Sequence, residues 1–112
     1  MIMSIEQSTL DELVKGILAI VGGYVNAIVL YGSVARGTAE HDSDVDVAII
    51  INRPLSYNDD DKLTDFIVDM NLKYGKVFSV IDIPDADYKK WQEIVPFYKN
   101  VVNEGVVLWK AA

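Results

Sequence analysis

The first apolar pattern of the chain has the period of an amphipathic helix. Its apolar positions recur three or four residues apart, at Leu10, Leu13, Val14, Ile17, Leu18 and Val21. A capping box formed by Ser8 with Asp11, or by Thr9 with Glu12, would begin this helix. The glycine pair at positions 22–23 would end it, because glycine tolerates the left-handed backbone of a helix C-terminus.

A second amphipathic pattern predicts a longer helix in the second half of the chain. Its apolar positions are Leu63, Phe66, Ile67, Met70 and Tyr74. Three consecutive aspartates, residues 59–61, lie at its predicted N-terminal end, where negative charge stabilises a helix. Gly75 marks its C-terminal boundary.

Two shorter helices are predicted near the end of the chain. One would be capped by Asp85 or Asp87 and would run through Trp91. Pro96 suits the first turn of the other, which would end near Glu104.

Four apolar runs without helical periodicity predict β-strands. They comprise residues 25–31, 44–51, 76–83 and 106–109, and the last of them would be an edge strand. Polar residues 32–43 connect the first two strands, with a helical turn predicted around Val34-Ala35-Arg36. We find no repeat and no linker, so the pattern predicts a single α/β domain over residues 1–112.

Composition narrows the classes of function. The chain has 112 residues, 17 of them acidic and 10 basic, for a formal net charge of −7. A protein that holds nucleic acid by its phosphates needs the opposite sign, so we expect no stable binding to DNA or RNA. No apolar run reaches the roughly 20 residues of a membrane span, and the N-terminus lacks the features of a signal peptide. We therefore expect a cytoplasmic protein.

The mean hydropathy of +0.19 is high for so small a domain. It predicts an apolar surface that another protein or a second copy covers, in a hetero-oligomer or a homodimer. Residues 97–109 are the best candidate for that surface, and the alternative is that they close the core.

Two aspartates at the start of the second strand are the first candidates for chemistry. Asp44 and Asp46 are two residues apart, so on a strand their side chains point to the same face, roughly 6.5–7 Å apart. Such a pair can hold Mg²⁺, which takes oxygen ligands and retains substrate phosphates as further ligands. An Asp-x-Asp can also be an ordinary polar turn. However, Asp46 lies inside an apolar strand, where a carboxylate needs a partner or a metal.

The turn after the first strand is the second candidate. Glycine at Gly32 would let a phosphate approach the backbone, and the Ser33 hydroxyl would add a donor, although a Gly-Ser turn alone is common. Arg36 would either reach a phosphate or pair with Glu40 or Asp42.

The Gly-Ser turn and the Asp-x-Asp pair together are more specific than either motif alone. Gly32-Ser33, then ten residues, then Asp44-x-Asp46 between two apolar strands resembles the signature of the DNA polymerase β-like nucleotidyltransferases. The longer pattern, Gly32-Ser33-Val34-Ala35-Arg36-Gly37 followed by Ser43-Asp44-Val45-Asp46, looks like that of the minimal nucleotidyltransferases. These small proteins are commonly encoded beside HEPN-domain ribonucleases as toxin–antitoxin pairs. The resemblance covers most of the chain and implies a small mixed sheet flanked by helices.

The resemblance also implies the roles of the site residues. Asp44 and Asp46 would bridge two Mg²⁺ ions of a metal–ATP complex, while Gly32, Ser33, Arg36 and Ser43 would hold the nucleotide. The family's chemistry needs a third carboxylate on a neighbouring strand. Asp82 is our candidate, because both of its neighbours are apolar and burial on both faces is expected.

Asp82 has alternatives. It could be a strand-end residue that turns into Pro84, with Asp85 or Asp87 as the ligand instead, although those two residues are better placed as helix caps.

One feature of the sheet follows from this site. Gly32 ends the first strand and Asp44 begins the second, yet both must meet one triphosphate. The end of one strand and the start of the next therefore lie at the same edge of the sheet, which predicts an antiparallel pair.

The resemblance implies attack by an acceptor hydroxyl on the α-phosphorus of ATP, with release of pyrophosphate. A chain of this length lacks a separate substrate domain and its charge disfavours RNA, so we expect a protein acceptor. The resemblance implies AMPylation of a tyrosine on a HEPN ribonuclease toxin, with this chain as the antitoxin. The alternatives are a non-catalytic module that neutralises its partner by occlusion, and a nucleotidyltransferase acting on a small molecule.

Overall fold

Helices and strands alternate along the chain, as the periodicity predicts. The computed structural model describes residues 5–38 and 43–112, apart from the side chains of Trp91, Phe97, Tyr98, Asn100 and Val102. The helices are α1 (Gln7–Val21), α2 (Gly32–Arg36), α3 (Tyr57–Tyr74), α4 (Asp85–Trp91) and α5 (Pro96–Glu104), with a 3₁₀ turn at Gly22–Tyr24. The strands are β1 (Val25–Tyr31), β2 (Val45–Ile51), β3 (Phe78–Pro84) and β4 (Val106–Lys110).

The four strands form one mixed sheet in the order β3-β2-β1-β4. Strand β1 pairs antiparallel with both β2 and β4, which confirms the predicted antiparallel pair. Strands β2 and β3 are parallel, and the crossover between them contains α3. Strand β3 lies at the edge, where its terminal Pro84 is tolerated. The α/β fold with a small mixed sheet is therefore confirmed.

Helices cover both faces of the sheet. The main core lies on the face covered by α1 and α3, where Leu10, Leu13, Ile17, Ile28, Leu30 and Ile49 are fully buried. A smaller cluster on the other face contains Val29, Ala48, Ile50, Ile83 and, from α5, Val101. Because β2 contributes to both clusters, residues 47–51 are all buried, and this strand lies at the centre of the domain.

Most of the C-terminal segment serves the core. Val101 is 1% exposed, and the side chains of Val106, Leu108 and Trp109 pack against the main core. Val107 is exposed and points away from it. The alternative that these residues close the core therefore holds for them, while the side chains of residues 97 and 102 lie outside the described part.

The helix caps differ from those predicted. The N-cap of α1 is Glu6, and no side chain caps it, so the predicted capping box is wrong. Helix α4 has Pro84 as its N-cap, and Asp85 is instead its first residue, paired with Lys89 at 3.1 Å. In α3 the Ser56 hydroxyl accepts a hydrogen bond from the Asp59 N–H at 3.1 Å, and Gly75 ends the helix in the left-handed conformation.

No helix in residues 5–38 or 43–112 combines the length and apolar character that a membrane crossing requires. The described part of the chain thus agrees with the absence of a long apolar run in the sequence.

The cap of α3 gives a direct test of helix stabilisation. Ser56→Ala removes the hydroxyl that satisfies the Asp59 N–H, so we expect the free energy of unfolding to fall by about 1 kcal/mol. Ser8→Ala is the matched control, because Ser8 is exposed and contacts only the Glu6 carboxylate, at 3.4 Å. We expect a change within about 0.5 kcal/mol for the control in urea denaturation. Equal losses in both variants would contradict the assignment of the cap.

Candidate nucleotide and metal site

The pairing of β1 with β2 brings the two sequence motifs together. Tyr31, the last residue of β1, lies directly opposite Asp46 on β2. The chain turns into α2 at the next residue, Gly32. The Gly-Ser turn and the Asp-x-Asp pair therefore share one edge of the sheet.

Gly32 lies in close contact with the Asp46 carboxylate. Gly32 has a φ of +76°, in the left-handed region that favours glycine. A Cβ atom at this position would collide with the Asp46 carboxylate. The backbone turn and the carboxylate thus fit only because residue 32 has no side chain.

The turn itself is short and closed by hydrogen bonds. Gly37, also at φ +76°, ends α2, and its N–H donates to the Val34 carbonyl at 3.2 Å. The Thr38 N–H donates to the Ser33 carbonyl at 3.0 Å. This confirms the predicted helical turn and holds Ser33 in a closed turn that directly follows β1.

The electrostatics of the site centre on Asp46. Its side chain is half-buried, and this burial raises the pKa of Asp46 above its ordinary value. The negative charge of Asp44 raises that pKa further, while Arg36 lowers it. Burial also raises the pKa of Tyr31, and the charge of Asp46 adds to that effect. Asp44, Asp46 and Arg36 therefore lie within electrostatic reach of one another.

Two neighbouring carboxylates with one half-buried are a suitable donor set for a cation. Asp44 is exposed and precedes β2, so it is accessible to a ligand arriving from solvent. A divalent cation would offset the repulsion that raises the pKa of Asp46. The residues present thus fit an Mg²⁺ ion.

Arg36 has a partner that sequence reasoning missed. Its guanidinium pairs with the Glu104 carboxylate of α5 at 3.0 Å, and both side chains are partly exposed. The two residues are 68 positions apart, so no local pattern indicated the contact. The alternative partners Glu40 and Asp42 lie outside the described residues. Ser43 is half-buried immediately before Asp44.

Asp82 lines a groove together with Asp44 but does not lie beside Asp46. In the parallel β2–β3 pair Asp82 lies beside Ile49, whereas Ser79 lies beside Asp46. Residues paired in this way share a face of the sheet, so Asp82 points to the opposite face, about 10 Å further along β3. Its side chain is exposed, and the predicted burial on both faces is wrong because β3 is an edge strand. Asp85 and Asp87 lie beyond the end of β3, further away still.

A third acidic ligand is missing from the described part of the site. Within residues 5–38 and 43–112, no group of three His, Cys, Asp or Glu side chains is placed to hold a metal ion. The residue of β3 next to Asp46 is Ser79, a hydroxyl.

Comparisons with known proteins find a family model and a related protein that each match most of the chain. Residues 15–112 match the sequence model of the family described as "Polymerase beta, Nucleotidyltransferase". A protein of Methanocaldococcus jannaschii, named "Putative protein adenylyltransferase MJ0604", is 31% identical over 107 residues, which cover 93% of this chain and 98% of that protein.

Two solved structures share the fold. A toxin–antitoxin structure with AMP-PNP is 18% identical, with a TM-score of 0.59, over 90% of this chain and 73% of that chain. A structure of a toxin–antitoxin MntA-HpeT mutant is 20% identical, with a TM-score of 0.63, over 91% of this chain and 73% of that chain.

The close contact at Gly32 predicts a specific pattern of substitution effects. Gly32→Ala places a Cβ on a left-handed backbone and against the Asp46 carboxylate. We therefore expect the free energy of unfolding to fall by more than about 2 kcal/mol. Gly75→Ala is the control, because its φ of +61° carries the backbone cost but no atom lies within 4 Å. For Gly75→Ala we expect the free energy of unfolding to fall by about 1 kcal/mol. Adding Asp46→Ala to Gly32→Ala should recover part of the loss in thermal or urea unfolding. No recovery would contradict the contact.

The raised pKa of Asp46 predicts how stability changes with pH. Because the pKa is higher in the folded state, ionisation of Asp46 disfavours folding, and stability falls as pH rises from the ordinary aspartate pKa through the folded value. Asp46→Asn should therefore be more stable than wild type at neutral pH. This advantage should vanish as the pH falls below the ordinary aspartate range. Asp82→Asn removes one carboxylate at an exposed position and is the control for the change in net charge, in denaturation between pH 3 and 8.

Proposed function

Because the chain belongs to the polymerase beta nucleotidyltransferase family, we propose that it transfers AMP from Mg²⁺–ATP to a hydroxyl of a partner protein. The observation that carries the proposal is the contact of the Asp46 carboxylate with the Gly32-Ser33 turn. This contact supports the proposal, because the proposed cation ligands and phosphate-binding groups would then share one edge of the sheet. A matching relative is named as a protein adenylyltransferase, which supports AMP as the transferred group and a protein as the acceptor.

Each residue has a proposed role in holding the substrate. Asp44 and Asp46 would hold Mg²⁺, which neutralises triphosphate charge and makes the α-phosphorus more electrophilic. The Ser33 and Ser43 hydroxyls would donate hydrogen bonds to phosphate oxygens. Arg36 would exchange the exposed Glu104 carboxylate for a phosphate, since exposed ion pairs are weak. Positioning and charge neutralisation would then supply most of the rate enhancement.

The proposed reaction is a single displacement. The acceptor oxygen forms a bond to the α-phosphorus, the bond from that phosphorus to the bridging oxygen breaks, and pyrophosphate leaves. The acceptor proton is released to water. Asp82 takes no part in this proposal, because it lies on the opposite face of the sheet.

We propose a HEPN ribonuclease toxin as the acceptor, modified on a tyrosine. Both structural neighbours come from toxin–antitoxin pairs, and one of them was solved with an ATP analogue. The other carries Asp-to-Glu substitutions at two aspartates two residues apart, the spacing of Asp44 and Asp46. The net charge of −7 favours association with a basic, RNA-binding protein.

A second candidate is a non-catalytic antitoxin that occludes its partner. The observation that favours it is the missing third carboxylate within the described residues. In this case the Asp-x-Asp pair would bind metal and nucleotide without transfer.

The two candidates differ in the covalent state of the partner. Incubation of the chain and Mg²⁺–ATP with a HEPN ribonuclease should leave the ribonuclease heavier by one or more AMP units in intact-mass spectrometry. The ribonuclease should stay inactive after this chain is removed. Asp44→Asn/Asp46→Asn should bind the partner but leave no covalent mark, whereas Asp82→Asn should transfer normally.

The outcome that contradicts transfer is equally clear. No added mass, together with activity that returns on separation, would establish occlusion. Calorimetry of ATP alone tests the site without a partner: the affinity of wild type should be much higher with Mg²⁺ than with EDTA, and the double variant should lose that difference. Equal affinities in wild type and double variant would disprove the site.

A further inference from the structure

In the register of β2 and β3, Ser79 lies in the position next to Asp46 that the sequence analysis had assigned to Asp82. Ser79 lies beside Asp46, and the two share one face of the sheet. Ser79 is half-buried, and it lines the same surface groove as Asp44. Ser79 therefore lies beside Asp46 by register, and Asp44 and Asp82 line the same groove as Ser79.

The groove lined by Asp44 and Ser79 is open to solvent on the side of β3. Strand β3 is the edge of the sheet, so no further strand follows Ser79. The groove continues along this edge between β3 and α3, and Val77 and Val68 line it with partly exposed side chains. A ligand or an acceptor group can therefore approach Asp44 and Ser79 from solvent.

A hydroxyl at position 79 limits what the site can hold. Two ions about 3.5–4 Å apart share the triphosphate oxygens as ligands, and a second tightly held ion gains from a further protein carboxylate beside Asp44 and Asp46. A neutral serine is a weak ligand for Mg²⁺, whose preferred protein ligands are carboxylates. Asp46 lies on β2 and Asp44 directly precedes this strand, and within residues 5–38 and 43–112 no group of three His, Cys, Asp or Glu side chains is placed to hold a metal ion.

We propose that Ser79 limits this site to one tightly held divalent cation in the nucleotide complex, and that a carboxylate at residue 79 creates the second cation site. The proposal rests on the proposed nucleotide site, and it differs from the expected pair of Mg²⁺ ions. Ser79 then borders the position from which an acceptor hydroxyl approaches, and its small size leaves that position accessible.

The test counts ions directly. Mn²⁺ is titrated into the protein with a saturating non-hydrolysable ATP analogue, and free Mn²⁺ is followed by electron paramagnetic resonance, with the nucleotide alone as baseline. Wild type should bind one Mn²⁺ tightly per chain. Ser79→Asp should bind two, and Ser79→Asn, equal in size but uncharged, should bind one.

Asp82→Asn is the positional control. It should leave the count unchanged, because Asp82, although it lines the groove, lies beside Ile49 and on the other face of the sheet from Ser79 and Asp46. With an acceptor present, Ser79→Asp should also increase the rate of AMP transfer about tenfold or more, while Ser79→Asn should not.

The possible results distinguish this inference from the proposed function on which it rests. Two tight ions in wild type, or the loss of an ion in Asp82→Asn, would overturn the inference and leave the nucleotide site standing. A count of one in folded Ser79→Asp would also overturn it. No metal-dependent nucleotide binding in wild type would instead remove the proposed function itself.

Discussion

The antiparallel pairing of β1 with β2 is the constraint on which the site depends. It sets Tyr31 opposite Asp46, so the chain leaves one strand at the point where the other strand begins. The remainder of β2 is buried on both faces, and this burial prevents the strand from sliding relative to β1. A slip of one residue would turn Asp46 into the main core and bring Val47 to the site. The hydrophobic core therefore determines the position of the carboxylate.

This arrangement has a cost in stability that is local to the site. The Asp46 carboxylate is half-buried, next to the negative charge of Asp44, and both effects raise its pKa. Gly32 adopts a left-handed conformation directly beneath it. Arg36 offsets part of the repulsion, although its direct ion pair is with Glu104. The buried length of β2 tolerates this cost, and a bound cation would relieve it. Destabilisation confined to a ligand-binding edge is a common sign of function.

The sequence predicted the elements well because periodicity and burial are local signals. The stripe from Leu10 to Val21 and the apolar run of β2 each matched one element, and Asp46 was identified by its contrast with that run. The caps were not predictable in the same way. Ser56 precedes α3 and caps it, whereas Ser8 lies inside α1, whose N-cap Glu6 makes no side-chain cap hydrogen bond. The Arg36–Glu104 pair joins elements far apart in the chain, and no spacing rule indicates such a contact.

Asp82 is the clearest case in which the sequence did not predict the position of a side chain. The prediction needed a carboxylate on a neighbouring strand, and β3 does neighbour β2. The register between parallel strands depends on how α3 packs across the sheet, and the run of β3 does not reveal it. Because side chains alternate along a strand, an odd offset of three residues between Asp82 and Ser79 moves the carboxylate both along the sheet and to its other face. Residue 79 thus occupies the position beside Asp46 that the sequence argument had assigned to a carboxylate. The pairing of the strands determines this position, and the sequence places a hydroxyl there.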